Sequence, residues 1–301
     1  GFYAGADTVD PVILSTAPKN TINLNGPYAI TAAVTDNIGL QDSTYLHYLI
    51  NSGSEYPPVK MAAVGDTCSG LISLPVRINT GDTVKYYITA VDNSSQENLG
   101  RGPAIGYYSF MTTDSVLVSN FDSPEAKAIW DTVNGSYSWR TYTGTPRSAP
   151  ASMRQGVTNY ANNADYRMTL KPAYSYNLDA YASNGKWVRL YYWQRGKLST
   201  TNTNDTIMVE ASKDNVNWTR LKYAVAFNNL ASFIPDTVDI TSFLSSKGVN
   251  DSITFRFRLK SDTTLTNAFG WNLDDIYLKV ESITGVAGRP GTLEPKVLAL
   301  Y

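Results

Sequence analysis

Hydrophobic and polar residues alternate with a period of two along most of the chain. The clearest case is residues 252–260 (SITFRFRLK), where apolar side chains alternate with polar ones that include Arg256 and Arg258. This period places both arginines on the face opposite to the apolar side chains. Helical patterns are confined to residues 123–130, with Ser123 as N-cap and Pro124 after it, and to residues 241–247. The pattern predicts an all-β chain.

The predicted strands fall into two consecutive groups, which indicates two tandem β-sandwiches. In residues 1–113, about seven short strands with regular turn signals favour an immunoglobulin-like sandwich. In residues 114–282, the length and the strand density are typical of a jelly roll. Residues 283–301 contain closely spaced Gly and Pro and are predicted to be a linker.

The composition excludes several classes of function. The 25 Lys and Arg nearly cancel the 26 Asp and Glu, so nucleic acid is a poor candidate for a partner. No run of about 18 apolar residues suggests a membrane span. One histidine and one cysteine are too few for a zinc site of the His/Cys type or for a disulfide. We expect His47 to be a cross-strand packing residue and Cys68 to be inert.

Three short segments of the first group carry a family resemblance. They are residues 26–28 (GPY), 34–40 (VTDNIGL) and 81–92 (GDTVKYYITAVD). As an ordered set they resemble a bacterial immunoglobulin-like or fibronectin-like module that is found behind secreted peptidases and other surface enzymes.

The second group has a resemblance of its own, carried by residues 120–122 (NFD), 210–218 (EASKDNVNW) and 269–276 (FGWNLDDI). The set resembles the MAM-like, anchor-associated jelly-roll family of secreted bacterial peptidases and adhesins. Residues 295–301 (PKVLALY) resemble the run upstream of the C-terminal sorting domain of the type IX (Por) secretion pathway. The resemblances imply a secreted or cell-surface bacterial protein with a catalytic domain upstream, and a linker to a missing sorting domain.

Two aspartates follow strands of the first group. Asp36 and Asp92 would close strands that run in the same direction in an immunoglobulin-like topology, so both should lie at one pole. With Asn37 and Asn93 they could ligate calcium, a cation that prefers oxygen ligands. The alternative is that Asp-Asn pairs simply form good turns.

A second pair of aspartates lies in the last predicted strand. Asp274 and Asp275 are adjacent, so alternation predicts that they point to opposite faces and that one is buried or partnered. The MAM-like resemblance implies a structural calcium where the first and last strands meet, with Asp122 and one of this pair as ligands. The alternative is a carboxylate that is hydrogen-bonded to backbone or to arginine.

Aromatic residues are the remaining candidates for ligand binding. All six tryptophans lie in the second group, and we expect Trp187, Trp218 and Trp271 to be core residues. The more loop-like stretch of residues 160–181 offers candidates for stacking on sugar rings, namely Tyr160, Tyr174 and Tyr176.

The sequence thus predicts a non-catalytic accessory region of a secreted or surface protein, with a hydrolase as the expected parent. Such a region would act as a spacer, as a stabiliser or as a binder of a surface ligand. The alternative is a carbohydrate-binding module that uses exposed aromatic residues of the jelly roll to hold a polysaccharide. An enzyme would need two convergent carboxylates in a cleft, and no such site is recognisable in the sequence.

Overall fold

A computed structural model of the chain describes residues 7–155, 159–178, 181, 186–199, 204–245, 252–264 and 268–282. The predicted linker, residues 283–301, lies outside this part of the chain. The described residues form antiparallel strands that belong to four main sheets, together with two short α-helices. No helix in the described residues has the length and apolar character needed to cross a membrane.

The first sandwich is built from nine strands, whose alternating residues are buried between two sheets. The strands are β1 (Val12–Ser15), β2 (Tyr28–Thr35), β3 (Tyr45–Ile50), β4 (Val59–Lys60), β5 (Ala62–Val64), β6 (Thr67–Ile72), β7 (Thr83–Val91), β8 (Leu99–Gly102) and β9 (Tyr108–Met111). One sheet has the order β1-β2-β6-β5 and the other β4-β3-β7-β8, with β9 also paired to β7. This arrangement is immunoglobulin-like.

The second sandwich contains the remaining strands and both helices. They are β10 (Ser115–Ser119), α1 (Pro124–Ala128), β11 (Trp130–Asp131), β12 (Val133–Asn134), β13 (Tyr137–Tyr142), β14 (Ser152–Gln155), β15 (Asp165–Leu170), β16 (Tyr176–Asn177), β17 (Lys186–Lys197), β18 (Thr206–Ser212), β19 (Trp218–Ala224), β20 (Asn228–Asp239), α2 (Thr241–Ser245), β21 (Ser252–Lys260) and β22 (Gly270–Ser282). A 3₁₀ turn, Pro172–Tyr174, precedes β16.

Two large sheets face each other across the core of the second sandwich. The β22 sheet has the order β12-β13-β14-β22-β17-β20, with β10 paired to β22. The β21 sheet has the order β11-β15-β21-β18-β19, with β16 paired to β21. Phe255 and Phe257 from one sheet and Trp271 and Leu273 from the other are fully buried between them. The prediction of an all-β chain with two tandem sandwiches is confirmed.

Several local predictions are also confirmed. Ser123 caps α1, because its hydroxyl accepts a hydrogen bond from the amide of Ala126 at 3.1 Å. The ring of His47 stacks on that of Tyr87 with centroids 4.4 Å apart, which is the expected cross-strand packing. Cys68 is a buried free thiol in the first core, and its inertness stays a prediction.

The two sandwiches share a small apolar contact. Ile22 and Leu24, in the segment between β1 and β2, are buried with the core residues of the second sandwich. The hydroxyl of Tyr181 donates a hydrogen bond to the carbonyl of Ile22 at 2.8 Å. The segment after β1 therefore packs against the second sandwich rather than lying free on the surface.

Candidate functional site

The outward surface of the β21 sheet combines charged side chains of both signs with aromatic rings. Ile253, Phe255, Phe257 and Leu259 of β21 enter the core, so the alternate residues of this strand point outward. The strand register then places their neighbours on the same face. We call this surface the basic face; its charged and aromatic residues are Asp131, Asp165, Arg167, Glu210, Trp218, Arg220, Tyr223, Arg256, Arg258 and Lys260.

Cations outnumber anions on the basic face. Five Arg and Lys side chains stand against three carboxylates, so the formal charge is 5 − 3 = +2. The chain as a whole carries −1. The near-neutral composition therefore conceals a locally positive surface.

Two ion pairs fix the centre of the basic face. Arg256 pairs with Glu210, and both side chains are buried, with exposed fractions of 11% and 7%. Arg258 holds Asp165 in two hydrogen bonds, Nε to Oδ1 at 2.6 Å and Nη2 to Oδ2 at 2.9 Å. Burial acts to raise the pKa of Asp165, but hydrogen bonds from Arg258 and Arg167 outweigh it and hold this pKa below its usual value. The carboxylates of Glu210 and Asp165 are therefore already ion-paired with arginines of the same face.

Three cations remain beyond these pairs. Arg167 shares Asp165 with Arg258. Arg220 and Lys260 are exposed, and neither forms an ion pair with any residue that the structure describes. The face therefore presents positive charge that its own carboxylates do not neutralise.

Two aromatic rings lie on the edge strand β19 of this face. The Trp218 ring contacts the Arg256 guanidinium, with 4.2 Å between the guanidinium carbon and the ring centroid. The Tyr223 ring lies 4.4 Å from the Arg220 guanidinium, and 57% of this tyrosine is exposed. The prediction that Trp218 is a core residue is wrong, because Trp218 pairs with Ser212, an outward-facing residue of β18.

An open groove with a volume of about 590 Å³ adjoins the basic face at Arg220. Asp214, Asn217, Asp239 and Phe243 also line it. The Asp214 carboxylate accepts hydrogen bonds from the side-chain amide and the backbone amide of Asn217. These bonds hold the pKa of Asp214 well below its usual range. The Asp239 carboxylate accepts a hydrogen bond from the amide of Thr241 at the start of α2, at 2.8 Å.

Three carboxylates converge at one pole of the first sandwich, which we call the acidic pole. Asp7, Asp36 and Asp92 each place one oxygen within 4.8 Å of the others. The Oδ2 atoms of Asp7 and Asp36 are buried and have no hydrogen-bond partner. The topology argument correctly brings Asp36 and Asp92 to the same pole, whereas it missed Asp7.

Asp92 is the most deeply buried member of the acidic pole. It is fully buried, and it accepts hydrogen bonds from the amides of Ser94 and Asn98, both at 3.0 Å. Burial acts to raise the pKa of Asp92, but hydrogen bonds from Ser94 and Asn98 outweigh it and hold this pKa below its usual value. The Asp92 carboxylate therefore stays ionised beside two others, an arrangement whose mutual repulsion a bound cation would relieve.

The carboxylates of Asp122, Asp274 and Asp275 have a different surrounding. The amides of Arg147 and Ser148 both donate to Asp274, at 2.8 and 3.2 Å. Asp275 pairs with the Arg147 side chain. Asp122 accepts hydrogen bonds from the amide of Ala151 and from Asn120. These contacts match the hydrogen-bonded alternative, and calcium at these three residues stays a prediction.

The predicted opposite orientation of Asp274 and Asp275 is wrong. The pairing of β17 with β22 shifts register between Tyr191 and Trp193, and Asp275 has a φ of 44°. This β-bulge interrupts the alternation, so both carboxylates are buried and face the same loop. Burial, reinforced by the neighbouring Asp275, raises the pKa of Asp274 to about 7.

The three candidate tyrosines lie in different environments. Tyr160 is buried, and its hydroxyl donates to Asp205, so its prediction as an exposed ligand-binding residue is wrong. Tyr176 is half-buried against Phe255, and burial raises the pKa of its hydroxyl to about 12. Tyr174 is 47% exposed and remains available for contact.

Comparisons with known proteins gave similarities to solved structures only. No protein-family model and no curated protein matches the chain. The CBM22-1–CBM22-2 tandem domain of Paenibacillus barcinonensis Xyn10C has 10% identity and a TM-score of 0.38, over 91% of this chain and 94% of that chain. The SGBP-B structure, from a Bacteroides uniformis xyloglucan utilization locus, has 10% identity and a TM-score of 0.34, over 91% and 73%.

A third structure contains a catalytic module as well. It is the Clostridium thermocellum xylanase 10B fragment with CBM22-1 and GH10 modules, complexed with xylohexaose, with 10% identity and a TM-score of 0.37. The similarity covers 58% of this chain and spans only 30% of that chain. Identities and TM-scores this low establish no function for this chain.

Proposed function

We propose that this chain is a non-catalytic accessory region that binds polysaccharide through the basic face of its second sandwich. The observation that carries the proposal is the combination, on one outward sheet face, of an exposed tyrosine ring and a tryptophan ring with rigidly paired polar groups. The adjoining groove extends this surface beyond Arg220. A long, shallow and polar surface suits a polymer better than a small molecule, which prefers an enclosed apolar pocket.

The chemistry of sugars matches this arrangement. A sugar ring offers hydroxyl groups that exchange hydrogen bonds with charged side chains, and C–H faces that pack against aromatic rings. Arg258 is held in place by Asp165, so little side-chain entropy is lost when a ligand contacts it. Tyr223 supplies an exposed ring at the edge of the same surface.

The groove supports a binding role rather than catalysis. A general acid needs a pKa near the working pH, whereas hydrogen bonds hold the pKa of Asp214 well below its usual range. Asp239, the other carboxylate of the groove that we describe, serves as a hydrogen-bond acceptor at the start of α2. Both carboxylates therefore have structural partners in the turn and helix that carry them.

The wider context that we propose is extracellular. The accessory region would belong to a secreted or cell-surface bacterial protein, with a catalytic domain upstream as its partner in the same chain. The solved structures of similar shape include carbohydrate-binding modules, one of them joined to a GH10 module. The MAM-like resemblance and the type IX secretion tail remain part of this proposal, as do the domain boundaries at residues 113 and 282.

Affinity electrophoresis in gels that contain a panel of polysaccharides tests the proposed function. We expect at least one polysaccharide to retard the chain, and Tyr223→Ala to weaken the retardation about fivefold or more, since aromatic contacts contribute about 1 kcal/mol each. Tyr107→Ala, which removes a tyrosine of the first sandwich that is 44% exposed, is the matched control and should leave binding unchanged. The same measurement on Tyr174→Ala tests whether Tyr174, the exposed tyrosine predicted from the sequence, also contacts the polysaccharide.

Two results would contradict the proposal. One is a panel of chemically diverse polysaccharides that leaves the migration of the chain unchanged. The other is binding that Tyr107→Ala weakens as much as Tyr223→Ala does, because the ligand would then lie on the first sandwich or contact no defined surface.

We also propose that the acidic pole holds a structural calcium ion. Asp7, Asp36 and Asp92 are hard oxygen ligands of the kind calcium prefers, and two of their oxygens are buried without a donor. A buried carboxylate oxygen without a partner is costly, and a cation would satisfy both such atoms at once. The ion would tie the segment before β1 to the ends of β2 and β7.

A further inference from the structure

We infer that the polysaccharide bound by the basic face is acidic, carrying carboxylate or sulfate groups along its length. This inference rests on the proposed function and adds the chemical class of the ligand. Its basis is the juxtaposition, around two rigid ion pairs, of Arg167, Arg220 and Lys260.

The charge on the face is distributed in a way that favours an external anion. Glu210 and Asp165 lie at the centre and are each engaged by arginine. Arg220 and Lys260 lie towards the two ends and have no anionic partner among the described residues. An anionic ligand would supply these cations with the counter-charges that the protein does not provide, whereas a neutral glycan would leave them unpaired.

The spacing of the free cations points to an oligomer. Arg220 lies on β19, and Lys260 lies two strands away on β21 and about four residues further along. With strands about 4.8 Å apart and about 3.4 Å per residue, the two Cα atoms are separated by about 17 Å. One sugar ring is much shorter than this separation. A chain of several rings with repeated acidic groups can contact both ends.

Other anionic polymers fit this face less well. Binding of nucleic acid depends on many cations that neutralise consecutive phosphates, whereas the excess on this face is +2 and three carboxylates lie among the cations. A membrane surface would in turn require apolar side chains that enter the lipid. The outward residues of β21 are Ser252, Thr254, Arg256, Arg258 and Lys260, none of which is apolar. On β18 and β19, Met208 is buried and Trp218 is half-buried, so only the Tyr223 ring is well exposed.

The test measures affinities by calorimetry for four probes: polygalacturonate, chondroitin sulfate, neutral xylan and duplex DNA. We expect at least one acidic polysaccharide to bind about tenfold or more tightly than xylan at low salt, and this preference to shrink as salt is added. The triple variant Arg167→Gln, Arg220→Gln, Lys260→Gln should lose about tenfold in affinity for the acidic ligand and little for xylan.

The matched control removes three charges elsewhere, with Lys19→Gln, Arg140→Gln and Lys197→Gln, all exposed residues outside the basic face. It should keep the preference for the acidic ligand. Equal or tighter binding of xylan would overturn the inference and leave the proposed function intact. Binding of neither acidic nor neutral polysaccharide would overturn both. DNA bound as tightly as the acidic glycans, or equal losses in the two triple variants, would show general charge attraction and overturn the inference.

Whichever acidic probe binds identifies the anionic group. Polygalacturonate carries carboxylates alone, whereas chondroitin sulfate carries sulfates as well. Preference for the first assigns uronate groups as the ligands of the arginines, and preference for the second assigns sulfate. Either preference supports the inference.

Discussion

The two sandwiches concentrate opposite charges at different places. In the first, three carboxylates meet at the acidic pole, and two of their oxygens are buried without a donor. In the second, the basic face gathers five cations around carboxylates that arginines already engage. The acidic pole thus has carboxylates without a neighbouring cation, and the basic face has cations without a neighbouring anion. The chain as a whole nevertheless carries a formal charge of only −1.

Whether a cluster of aspartates needs a bound cation depends on how many hydrogen-bond donors the protein directs at its carboxylate oxygens. Asp274 and Asp275 are as buried as Asp92, and they too are adjacent to further carboxylates. Donors from Arg147 and Ser148 satisfy them, however, so the protein itself provides what an ion would otherwise supply. At the acidic pole the donors leave the Oδ2 atoms of Asp7 and Asp36 without a partner, which is why we assign the calcium there. The following predictions test this contrast.

The largest effect is expected at the buried ion pair of the basic face. Glu210→Leu leaves Arg256 buried without its partner, and the free energy of unfolding should fall by about 3 to 5 kcal/mol. Urea denaturation measures this change. The double variant Glu210→Leu, Arg256→Leu should recover part of the loss, because both charges are then gone.

The exposed pair of Lys60 with Asp42 provides the matched control for this prediction. Its side chains are 50% and 89% exposed. Lys60→Met should therefore cost less than about 1 kcal/mol. A loss for Glu210→Leu as small as that for Lys60→Met would show that the pair on the basic face is not buried in solution.

The next effect is expected at the acidic pole. Calcium at about a hundred times its dissociation constant should stabilise the chain by about 2.7 kcal/mol and raise the melting temperature by several degrees. Asp36→Asn should abolish this rise, whereas Asp275→Asn should preserve it because Asp275 is already paired with Arg147. Calorimetric scans with calcium and with chelator measure the difference. Identical melting temperatures in the two scans, or a rise lost only in Asp275→Asn, would contradict our assignment.

A smaller effect concerns the pH dependence of the second sandwich. The pKa of Asp274 in the folded chain is about 7, against a usual value of 3.8. The folded state therefore holds this proton more tightly than the unfolded state, and the associated stability is complete below pH 4 and lost as the pH rises towards 7. Because only one proton is involved, the slope is at most about 1.4 kcal/mol per pH unit.

Urea denaturation at pH 4, 5, 6 and 7 measures the contribution of Asp274 as the difference between wild type and Asp274→Asn. The asparagine keeps an acceptor oxygen for Arg147 and Ser148 but does not titrate. Wild type should lose stability relative to the variant across this range. A difference that is constant with pH would contradict the raised pKa of this carboxyl.

Strand periodicity was enough to predict the fold and part of each charged region. It placed Arg256 and Arg258 on an outward face, and topology placed Asp36 and Asp92 at one pole. Both inferences need only the direction of a strand and its alternation. Asp7 was missed because it precedes the first strand, where no periodicity indicates the path of the chain.

The remaining features depend on which strands pair and in what register. Arg220 reaches the basic face because β19 pairs with β18, and a register shift at Val209 and Glu210 sets which of its residues point outward. A similar shift turned Asp275 towards the same loop as Asp274. Tyr160 lies in a segment without regular structure, yet packing buries it. Long-range pairing and packing of this kind leave no local signal in the sequence.

The most direct test of the proposed function is an NMR titration of the isotope-labelled chain with the polysaccharide fragment that binds it best. We predict that the largest shifts of backbone amides and of arginine Nε–Hε signals will come from β15, β18, β19 and β21, with Arg220 and Tyr223 among them. Shifts confined to the first sandwich, or to the β22 sheet on the opposite side of the core, would contradict the assignment of the basic face as the binding surface.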